Sequence, residues 1–302
     1  MLKRMLNRLF KALVDLGGPR WKTYLWYLRV HHRVPNLSSP SKFSEKIAVM
    51  KLRPDHSEKI QLTDKVLVKH FVEDVLGSGF AIPTLWSGPS LPPVIERTWP
   101  VPFVIKANHG SQMNYFVRTE ADLNWEKIEA VTSEWLRRDW PDHLCEDWYN
   151  RIDTQLLVEP MIGTEGQDLP DFKFFVFSGR ALLVQVDTNR FSRHTRAYYD
   201  RAWVKMPVAV AYPLNTDTVP PPMHLSAMLT AAERLGEKFD FVRVDFYDLP
   251  EGPKFGEITF APDAGLGRFN PRSFDLVFGS MWQASADSRS TDDFGVPVSA
   301  TY

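Results

Sequence analysis

The chain has 302 residues, of which 44% are hydrophobic and 13% aromatic, enough to bury the core of one large domain or of two to three joined lobes. Its 36 basic and 37 acidic residues nearly cancel, so the net charge gives no reason to expect a nucleic-acid partner. The single cysteine excludes an internal disulfide and fits a reducing compartment, so we expect a cytoplasmic protein. The sequence contains no apolar run of about 18 residues, so no membrane span is predicted.

Residues 1–36 are predicted to be a basic helical extension. Apolar residues recur at helical spacing over 2–16, and two glycines and a proline at 17–19 end that helix. Residues 1–33 contain eight lysines and arginines but only one acid, Asp15. Such a helix is typical of proteins that lie on an anionic membrane surface, here the inner face of the membrane. A helix packed on the protein's own body has the same pattern, and both interpretations stay open.

Residues 37–100 are predicted to form an N-terminal subdomain. The expected elements are a helix that begins near Ser41 or Ser44 and ends at 52, a helix from about 63 to 76, and a strand near 81–86. Five prolines between 89 and 102 indicate a linker to the next lobe.

The apolar strand predicted over 101–106 ends in a lysine, Lys106, and a turn of small and polar residues follows it. The turn contains His109, Gly110 and Ser111. This pattern places an ammonium group and free backbone N–H groups near one point, as in phosphate-binding sites. A lysine at a strand end is also common on a solvated edge, so the motif alone leaves both interpretations open.

Two further strands, 156–162 and 171–177, each carry one charged residue in an apolar setting. Glu159 lies in the first and Lys173 in the second. Burying an unpaired ammonium group is costly, so Lys173 needs an acidic partner. Lys106 and Lys173 are therefore predicted to be two cations on separate strands that bind one polyanion.

Residues 189–196 concentrate three arginines and one histidine. The arginines are Arg190, Arg193 and Arg196. Guanidinium groups match the geometry of carboxylates and phosphates, so the cluster is a candidate anion site. A solvated loop explains the same composition, and the sequence does not decide between the two.

The stretch 241–262 reads as a β-hairpin whose strands each carry one acid. If the hairpin is symmetric about its turn, Asp245 lies opposite Glu257 and Arg243 lies opposite Thr259. Two opposed carboxylates repel each other unless a cation lies between them. Mg²⁺ that also holds phosphate oxygens is a common solution. The alternative is that both acids simply point into water.

The chain contains five strings in this order: VIKANHGS, LLVEPMI, DFKFF, VRVDFYD and FGEITFAP. Together they resemble the ATP-grasp fold, an α+β fold whose two lobes clamp ATP. Within it, the chain is similar to the TupA-like family, which is associated with bacterial surface-polysaccharide and teichuronopeptide biosynthesis. The resemblance covers about 40–282. It implies lobe A over 101–165 and lobe B, with the metal-binding hairpin, over 166–283. Residues 284–302 contain few large apolar side chains and are predicted to be a disordered tail.

The resemblance implies a site for ATP and Mg²⁺. Asp245 and Glu257 match the magnesium acids, and Thr259 replaces the asparagine usual at the third metal position of ATP-grasp enzymes at large, although threonine is customary in this branch. That departure leaves the number of metal ions open. The matching nucleotide-binding positions are Lys106, His109, Gly110, Ser111, Glu159 and Lys173, of which Glu159 lies where the hinge holds adenine and ribose.

The activity implied by the resemblance is that of an ATP-dependent carboxylate–amine ligase that forms an acylphosphate. Arg243, together with Arg190, Arg193 or Arg196, would hold the substrate carboxylate, which we expect on a uronic acid or on a growing acidic peptide. Two rivals stay open. A polysaccharide glycosyltransferase would use DFYD at 245–248 as a nucleotide-sugar motif, and a non-catalytic scaffold would bind ATP without turnover.

Overall fold

The structure is a computed structural model that describes residues 2–54, 56–163, 169–189 and 193–287. Eight helices and twelve strands lie in these residues. The helices are α1 (Leu2–Asp15), α2 (Pro19–His31), α3 (Phe43–Lys51), α4 (Ser57–Thr63), α5 (Leu67–Leu76), α6 (Trp125–Leu136), α7 (Leu225–Gly236) and α8 (Phe274–Asp287). The strands are β1 (Trp86–Gly88), β2 (Phe103–Ala107), β3 (Asn114–Val117), β4 (Leu156–Pro160), β5 (Asp171–Phe177), β6 (Arg180–Thr188), β7 (Thr195–Asp200), β8 (Lys205–Met206), β9 (Ala209–Val210), β10 (Phe241–Leu249), β11 (Gly252–Thr259) and β12 (Phe269–Asn270).

The strands of the described residues form two main sheets and one short pair. The small sheet has the order β1-β4-β2-β3, the large sheet has the order β11-β10-β5-β6-β7-β8, and β12 pairs with β9. Every pairing between neighbouring strands is antiparallel. Glu159 on β4 pairs with Val104 on β2, two residues before Lys106. Because side chains alternate along a strand, Glu159 and Lys106 share one face of the small sheet.

The predicted hairpin is confirmed in its register. β10 and β11 pair Asp245 with Glu257 and Arg243 with Thr259. The pairing then shifts by one residue at Gly256, so that Phe246 lies opposite Phe255. A Cβ atom at Gly256 would lie 3.2 Å from the Asp245 carbonyl oxygen, so glycine suits the close approach of the two strands at this bulge.

The main core lies on both faces of the large sheet, and Phe43 of α3 is at the centre of its aromatic part on one face. Phe43 is 5% exposed and its ring contacts six other aromatic rings. These belong to Phe175, Phe177, Phe241, Phe269, Phe278 and Trp282. Buried residues of α4 and α5 join the same core. Much of the predicted subdomain 37–100 therefore packs into the core of the large sheet, while its strand β1 belongs to the small one.

The start of α3 agrees with the prediction, but no serine caps the helix. The helix begins at Phe43, and neither Ser41 nor Ser44 caps it through its hydroxyl group. The Ser44 hydroxyl instead donates to Asp275 of α8 over 2.7 Å. Glu45 accepts from the N–H groups of Ser41 and Lys42, both over 3.2 Å, and so satisfies donors at the helix start. The Ser44 hydroxyl group thus binds a distant acid and does not cap the helix.

Two boundaries differ from the prediction. The helix expected from about 63 to 76 begins at Leu67, because Asp64 accepts the N–H groups of Val66 and Leu67 over 2.7 and 3.2 Å and separates this helix from α4, which the sequence analysis did not predict. The final helix, α8, runs to Asp287, four residues into the predicted tail, while 288–302 lie outside the described residues. Buried Phe278 and Trp282 anchor α8 on the core. Within the described residues, every helix is too short or too polar to cross a membrane.

Replacing Phe43 with alanine should lower the free energy of unfolding by about 3–5 kcal/mol, because it removes the ring at the centre of the aromatic core and leaves a cavity. Urea unfolding followed by circular dichroism would measure the change. Ile95→Ala is the matched control, since Ile95 is 88% exposed and its truncation should cost less than about 0.5 kcal/mol. Equal losses in both variants would contradict the central role of Phe43.

Candidate active site

The two acids of the hairpin share a cation that belongs to the protein itself. Arg243 donates to Asp245 through Nε over 2.7 Å and through Nη2 over 2.8 Å. The same Nη2 lies 2.8 Å from Glu257 Oε1 and 2.9 Å from Thr259 Oγ1. Asp245 is 1% exposed, whereas 43% of the Glu257 side chain is exposed. The repulsion expected between the opposed carboxylates is therefore relieved by a guanidinium group in this structure.

Lys173 provides the second cation at Asp245. It lies directly opposite Asp245 in the pairing of β5 with β10, and its Nζ is 2.5 Å from Asp245 Oδ2 and 2.9 Å from Asp171 Oδ2. Burial alone would lower the pKa of Lys173, but the two carboxylates outweigh burial and raise it. The predicted need of Lys173 for an acidic partner is met twice within its own sheet.

Burial dominates the protonation of Asp245. Removal from water raises the pKa of its carboxyl group to about 6, although Arg243 and Lys173 favour the charged form. Arg243 and Lys173 thus both favour the ionised carboxylate at neutral pH. A rearrangement that takes one of them away would leave this carboxylate less stable unless another positive charge replaces it or it takes up a proton.

Lys106 and Glu159, the candidates on the small sheet, form an ion pair. Lys106 Nζ lies 2.5 Å from Glu159 Oε2, and Lys69 of α5 binds the other carboxylate oxygen. Glu159 is 4% exposed; burial would raise its pKa, but the charges of Lys106 and Lys69 lower it. The Lys106 side chain is 23% exposed, so this ammonium group is also reachable from solvent.

The turn after β2 is held by the segment between α4 and α5. Lys65 Nζ donates to the Gly110 carbonyl oxygen over 2.7 Å, and Asn108 donates to Asp64 over 2.8 Å. Gly110 has φ +67°, a conformation that favours glycine. The contacts fix a turn whose conformation the sequence only outlined.

Two predicted members of this turn have different surroundings. His109 is 3% exposed, and its Nε2 lies 3.2 Å from the Arg138 carbonyl oxygen. Burial lowers the pKa of its imidazole, so this ring is a neutral packing group in the structure. Ser111, by contrast, is exposed. Of the two side chains, only Ser111 is open to a ligand without rearrangement.

Charged groups from both sheets act on Lys65. Burial lowers the pKa of its ammonium group, Glu257 of the large sheet and Glu159 of the small sheet raise it, and Lys106 lowers it. Such interactions fall off with distance. The charges of the Lys106–Glu159 pair and of the acidic hairpin thus both act on Lys65.

The arginine cluster is separated by the fold. Arg196 is 4% exposed, and its guanidinium group contacts Asp187 over 2.7 Å and Asp263 over 3.0 Å. Burial would raise the pKa of Asp187, but Arg196 outweighs it and lowers that pKa to about 2. Arg193 is exposed, and Arg190 lies outside the described residues. Of the arginines described here, Arg193 is the one placed to meet a free substrate.

The hairpin offers oxygen ligands suited to Mg²⁺, from Asp245, Glu257 and Thr259, but not a complete protein cage. No group of three or more His, Cys, Asp or Glu side chains in the described ranges is arranged to hold a metal ion. Mg²⁺ is commonly bound by one or two carboxylates together with substrate phosphates, so Asp245 and Glu257 with a nucleotide fit that ion.

Sequence reasoning missed two lysines and an acid of this site. Lys65 and Lys69 were passed over because the stretch 63–76 was examined for its apolar stripe, and Asp171 because it begins a strand. One signal was available. Lys65 and Lys69 are four residues apart, a spacing that places two side chains on the same side of a helical turn, and both follow the helix breaker Asp64. Their targets, a carbonyl group and Glu159, are distant in sequence and could not be read from it.

A further buried acid, Glu146, lies in the loop before Trp148. It is 4% exposed and accepts a hydrogen bond from Trp140 Nε1 over 3.2 Å. Burial raises the pKa of Glu146 to about 7, although the charge of Lys51 opposes the rise. Its carboxyl group therefore changes charge near neutral pH.

Comparison with known proteins gives one family. Residues 45–283 match the model of the family described as TupA-like ATPgrasp. The match covers more than half of the chain and confirms the resemblance inferred from the five strings. No curated protein matches the chain.

Several solved structures show a distant similarity. A D-alanine–D-alanine ligase from Bacillus anthracis complexed with ATP has 13% identity and a TM-score of 0.42, over 76% of this chain and 68% of that one. The corresponding enzyme from Helicobacter pylori has 12% identity and a TM-score of 0.45, over 84% and 68%. The ATP-grasp ligase PsnB, complexed with a phosphomimetic variant of its minimal precursor, Mg and ADP, has 9% identity and a TM-score of 0.44, over 76% and 60%. At these scores the similarities add no detail to the site.

Glu146→Gln should flatten the dependence of stability on pH. The folded protein holds a proton on Glu146 up to about pH 7, whereas the unfolded chain releases it near pH 4.5, so this group's contribution to stability is complete below pH 4.5 and is lost as pH rises through 7. Between pH 5 and 8 the wild type should lose about 2 kcal/mol of unfolding free energy relative to the variant. Urea unfolding at each pH measures this.

The matched control is Glu134→Gln, which changes an exposed glutamate of α6. This variant should follow the wild-type profile. If Glu146→Gln also follows that profile, Glu146 does not titrate near pH 7 in the folded protein.

Proposed function

The chain belongs to the TupA-like ATP-grasp family, and on that premise we propose that it is an ATP-dependent carboxylate–amine ligase that works through an acylphosphate. The observation that carries the proposal is the pairing of Asp245 with Glu257 across a hairpin, with Arg243 between them. Lys173 and the Lys106–Glu159 pair supply further charges for a nucleotide. No nucleophilic side chain is needed for this chemistry.

The reaction has two steps. A substrate carboxylate oxygen attacks the γ-phosphorus of ATP, its bond to phosphorus forms as the bond to the β,γ-bridging oxygen breaks, and ADP leaves. An amine then attacks the acyl carbon, phosphate leaves with the former carboxylate oxygen, and the amine gives up a proton as the amide forms. Positioning and charge stabilisation by the protein govern both steps.

Lys106 and Lys173 are the proposed phosphate ligands. Lys106 is part exposed, and the exposed Ser111 lies in the turn that follows its strand. Lys65 holds that turn by its Gly110 carbonyl oxygen and acts as a positioning residue. Glu159, between Lys106 and Lys69, is proposed to hold the ribose and adenine side of the nucleotide, as its place in the family's hinge implies.

Asp245 and Glu257 would hold Mg²⁺, with Thr259 beside them, and the ion would neutralise charge on the β- and γ-phosphates. Arg243 already occupies one or more oxygens of all three side chains. We therefore propose that Arg243 changes partners when metal and nucleotide bind, turning from the acids to the transferred phosphoryl group or the substrate carboxylate. The buried guanidinium group then passes from one anionic partner to another and is not left buried without a partner.

The substrate carboxylate is proposed to approach from the side of the arginine cluster. Arg193 is exposed, whereas Arg196 is bound to Asp187 and Asp263 and shapes the surroundings. From the family's association we propose a uronic acid of a bacterial surface polysaccharide, or a growing acidic peptide on it, as the carboxylate. An amino acid is the proposed amine. ATP as a substrate places the reaction in the cytoplasm.

The glycosyltransferase alternative would need Asp245 and Asp248 to act together. Asp248 accepts from the N–H group of Met223 over 2.5 Å and lies 2.6 Å from His224 Nδ1, whereas Asp245 binds Arg243 and Lys173. Residues three apart in an extended strand point to opposite faces. The DFYD motif thus does not present two acids to one ligand in this structure.

ATP and Mg²⁺ together should raise the melting temperature, whereas either one alone should have a much smaller effect. The reason is that Arg243 already neutralises Asp245 and Glu257, so a ligand that displaces Arg243 must bring a cation in its place. A thermal-shift titration measures the rise, with UDP-sugars and Mn²⁺ as the competing ligands.

Lys106→Met should remove most of this shift, whereas the exposed lysine change Lys127→Met should leave it unchanged. A shift only with a UDP-sugar would overturn the nucleotide assignment in favour of a transferase. A normal shift in Lys106→Met would remove Lys106 from the phosphate site.

Asp245→Asn should reduce ATP turnover by at least about a hundredfold, because one of the two metal-binding carboxylates is lost. Phosphate release in the presence of uronic acids and amino acids measures turnover, and circular dichroism verifies the fold. Asp248→Asn is the matched control, three residues along the same strand, and should keep turnover within about threefold. Near-normal turnover in Asp245→Asn would contradict the assignment. ATP and Mg²⁺ binding without turnover under any acceptor would favour a scaffold.

A further inference from the structure

The N-terminal helix α1 presents an uncovered apolar face. Five large apolar side chains on α1 and directly after it are exposed, at 53%, 54%, 59%, 43% and 81% of their surface. They belong to Met5, Leu6, Leu9, Leu13 and Leu16. Their spacing of three and four residues aligns them along one side of the helix, over about 16 Å. We refer to these five residues as the apolar face of α1.

Internal packing of α1 uses a different edge of the helix. Val14 is 1% exposed, and Phe10 packs edge-to-face on Trp26 of α2, with ring centroids 5.3 Å apart. Arg29 of α2 lies 4.2 Å above the Phe10 ring. The apolar face of α1 is therefore not the surface that attaches the helix to the protein, and its exposure is not explained by a poorly docked helix.

The second helix ties this pair firmly to the body of the molecule. Tyr27 of α2 is 1% exposed, and its hydroxyl group lies 2.8 Å from Ser44 Oγ. Trp26 stacks on His143 at 4.5 Å, and His31 Nε2 lies 3.2 Å from the Gly265 carbonyl oxygen. Trp21, which is 43% exposed, donates to the Leu13 carbonyl oxygen over 2.9 Å and adds an aromatic ring at the end of the apolar face.

Charge singles out the same segment. Residues 1–33 contain eight basic residues and one acid, a net charge of +7, whereas the whole chain carries −1, so the remaining residues carry −8. Arg4, Arg8 and Lys11 are exposed on α1 beside its apolar face. An anionic surface is therefore attracted to this segment and repelled by the rest of the chain.

We propose that the apolar face of α1 binds the surface of an anionic phospholipid bilayer, with α1 parallel to the membrane plane. The leucine and methionine side chains would enter the boundary of the acyl chains while the basic residues contact lipid phosphates. A single convex helix with aliphatic side chains suits a bilayer better than a protein partner, whose binding surfaces are enriched in aromatic residues and complementary in shape. This inference does not depend on the proposed ligase activity.

Co-sedimentation of the full-length protein with vesicles tests the proposal. The protein should sediment with vesicles of phosphatidylcholine containing 30% phosphatidylglycerol at low salt, far less with pure phosphatidylcholine, and less with the anionic vesicles at about 0.5 M salt. Leu9→Gln/Leu13→Gln should weaken partitioning by roughly tenfold or more, since each leucine loses burial in the membrane. Arg4→Gln/Arg8→Gln/Lys11→Gln should abolish the preference for anionic vesicles.

Leu276→Gln/Val277→Gln is the matched control, because it removes two exposed apolar side chains, 48% and 38% exposed, from α8. This variant should bind vesicles as the wild type does. Failure of the wild type to sediment with anionic vesicles at low salt, or equal loss in both double variants, would overturn the proposal. Sedimentation velocity gives one more such outcome: a dimer that Leu9→Gln/Leu13→Gln dissociates, without vesicle binding, would assign the face to a second copy of the chain.

Discussion

The guanidinium group of Arg243 is the constraint around which the large sheet is arranged. It contacts Asp245, Glu257 and Thr259, which lie on two strands and in one register. Slipping the hairpin by one residue would turn Arg243 and Asp245 to the opposite face of the sheet, where α7 packs on Val176 and Val242, and would bury their charges without partners. The same contact that relieves the repulsion between the acids thus also fixes the strand pairing that brings Lys173 opposite Asp245.

Three candidate cations of the site each have an acid within reach. Lys106 has Glu159, Lys173 has Asp171 and Asp245, and Arg196 has Asp187 and Asp263. A polyanion therefore does not meet bare positive charges but competes with carboxylates for them. Under the proposed function, binding would be an exchange of ionic partners, in which a metal ion takes the place that the lysine or arginine leaves. Specificity for a metal-bound nucleotide over a simple anion would follow from that exchange.

The parts of the site that the sequence predicts are those determined by local rules. Alternation and turn residues define the register of the hairpin, and an ammonium group inside an apolar strand requires an acid, so the pairing of Asp245 with Glu257 and an acidic partner for Lys173 were predicted. The surroundings of His109 and Ser44 were not predicted, because their partners lie 29 and 231 residues away. Arg196 binds Asp187 on the paired strand and also Asp263, 67 residues away. No local pattern shows whether such a side chain turns inwards to a carbonyl group or an acid, or outwards to a ligand.

The N-terminal helices are a second case in which the sequence left two interpretations open. Their composition fits both a membrane surface and packing on the protein's own body. The structure divides these roles between two edges of α1, with Val14 inwards and Leu9 and its neighbours outwards. Through α2, the His31 contact with Gly265 ties these helices to the segment that carries Asp263, the partner of Arg196. A bilayer bound at α1 would thus be held in fixed relation to the proposed carboxylate side of the site. That arrangement favours an acceptor that is itself attached to the membrane over one free in solution.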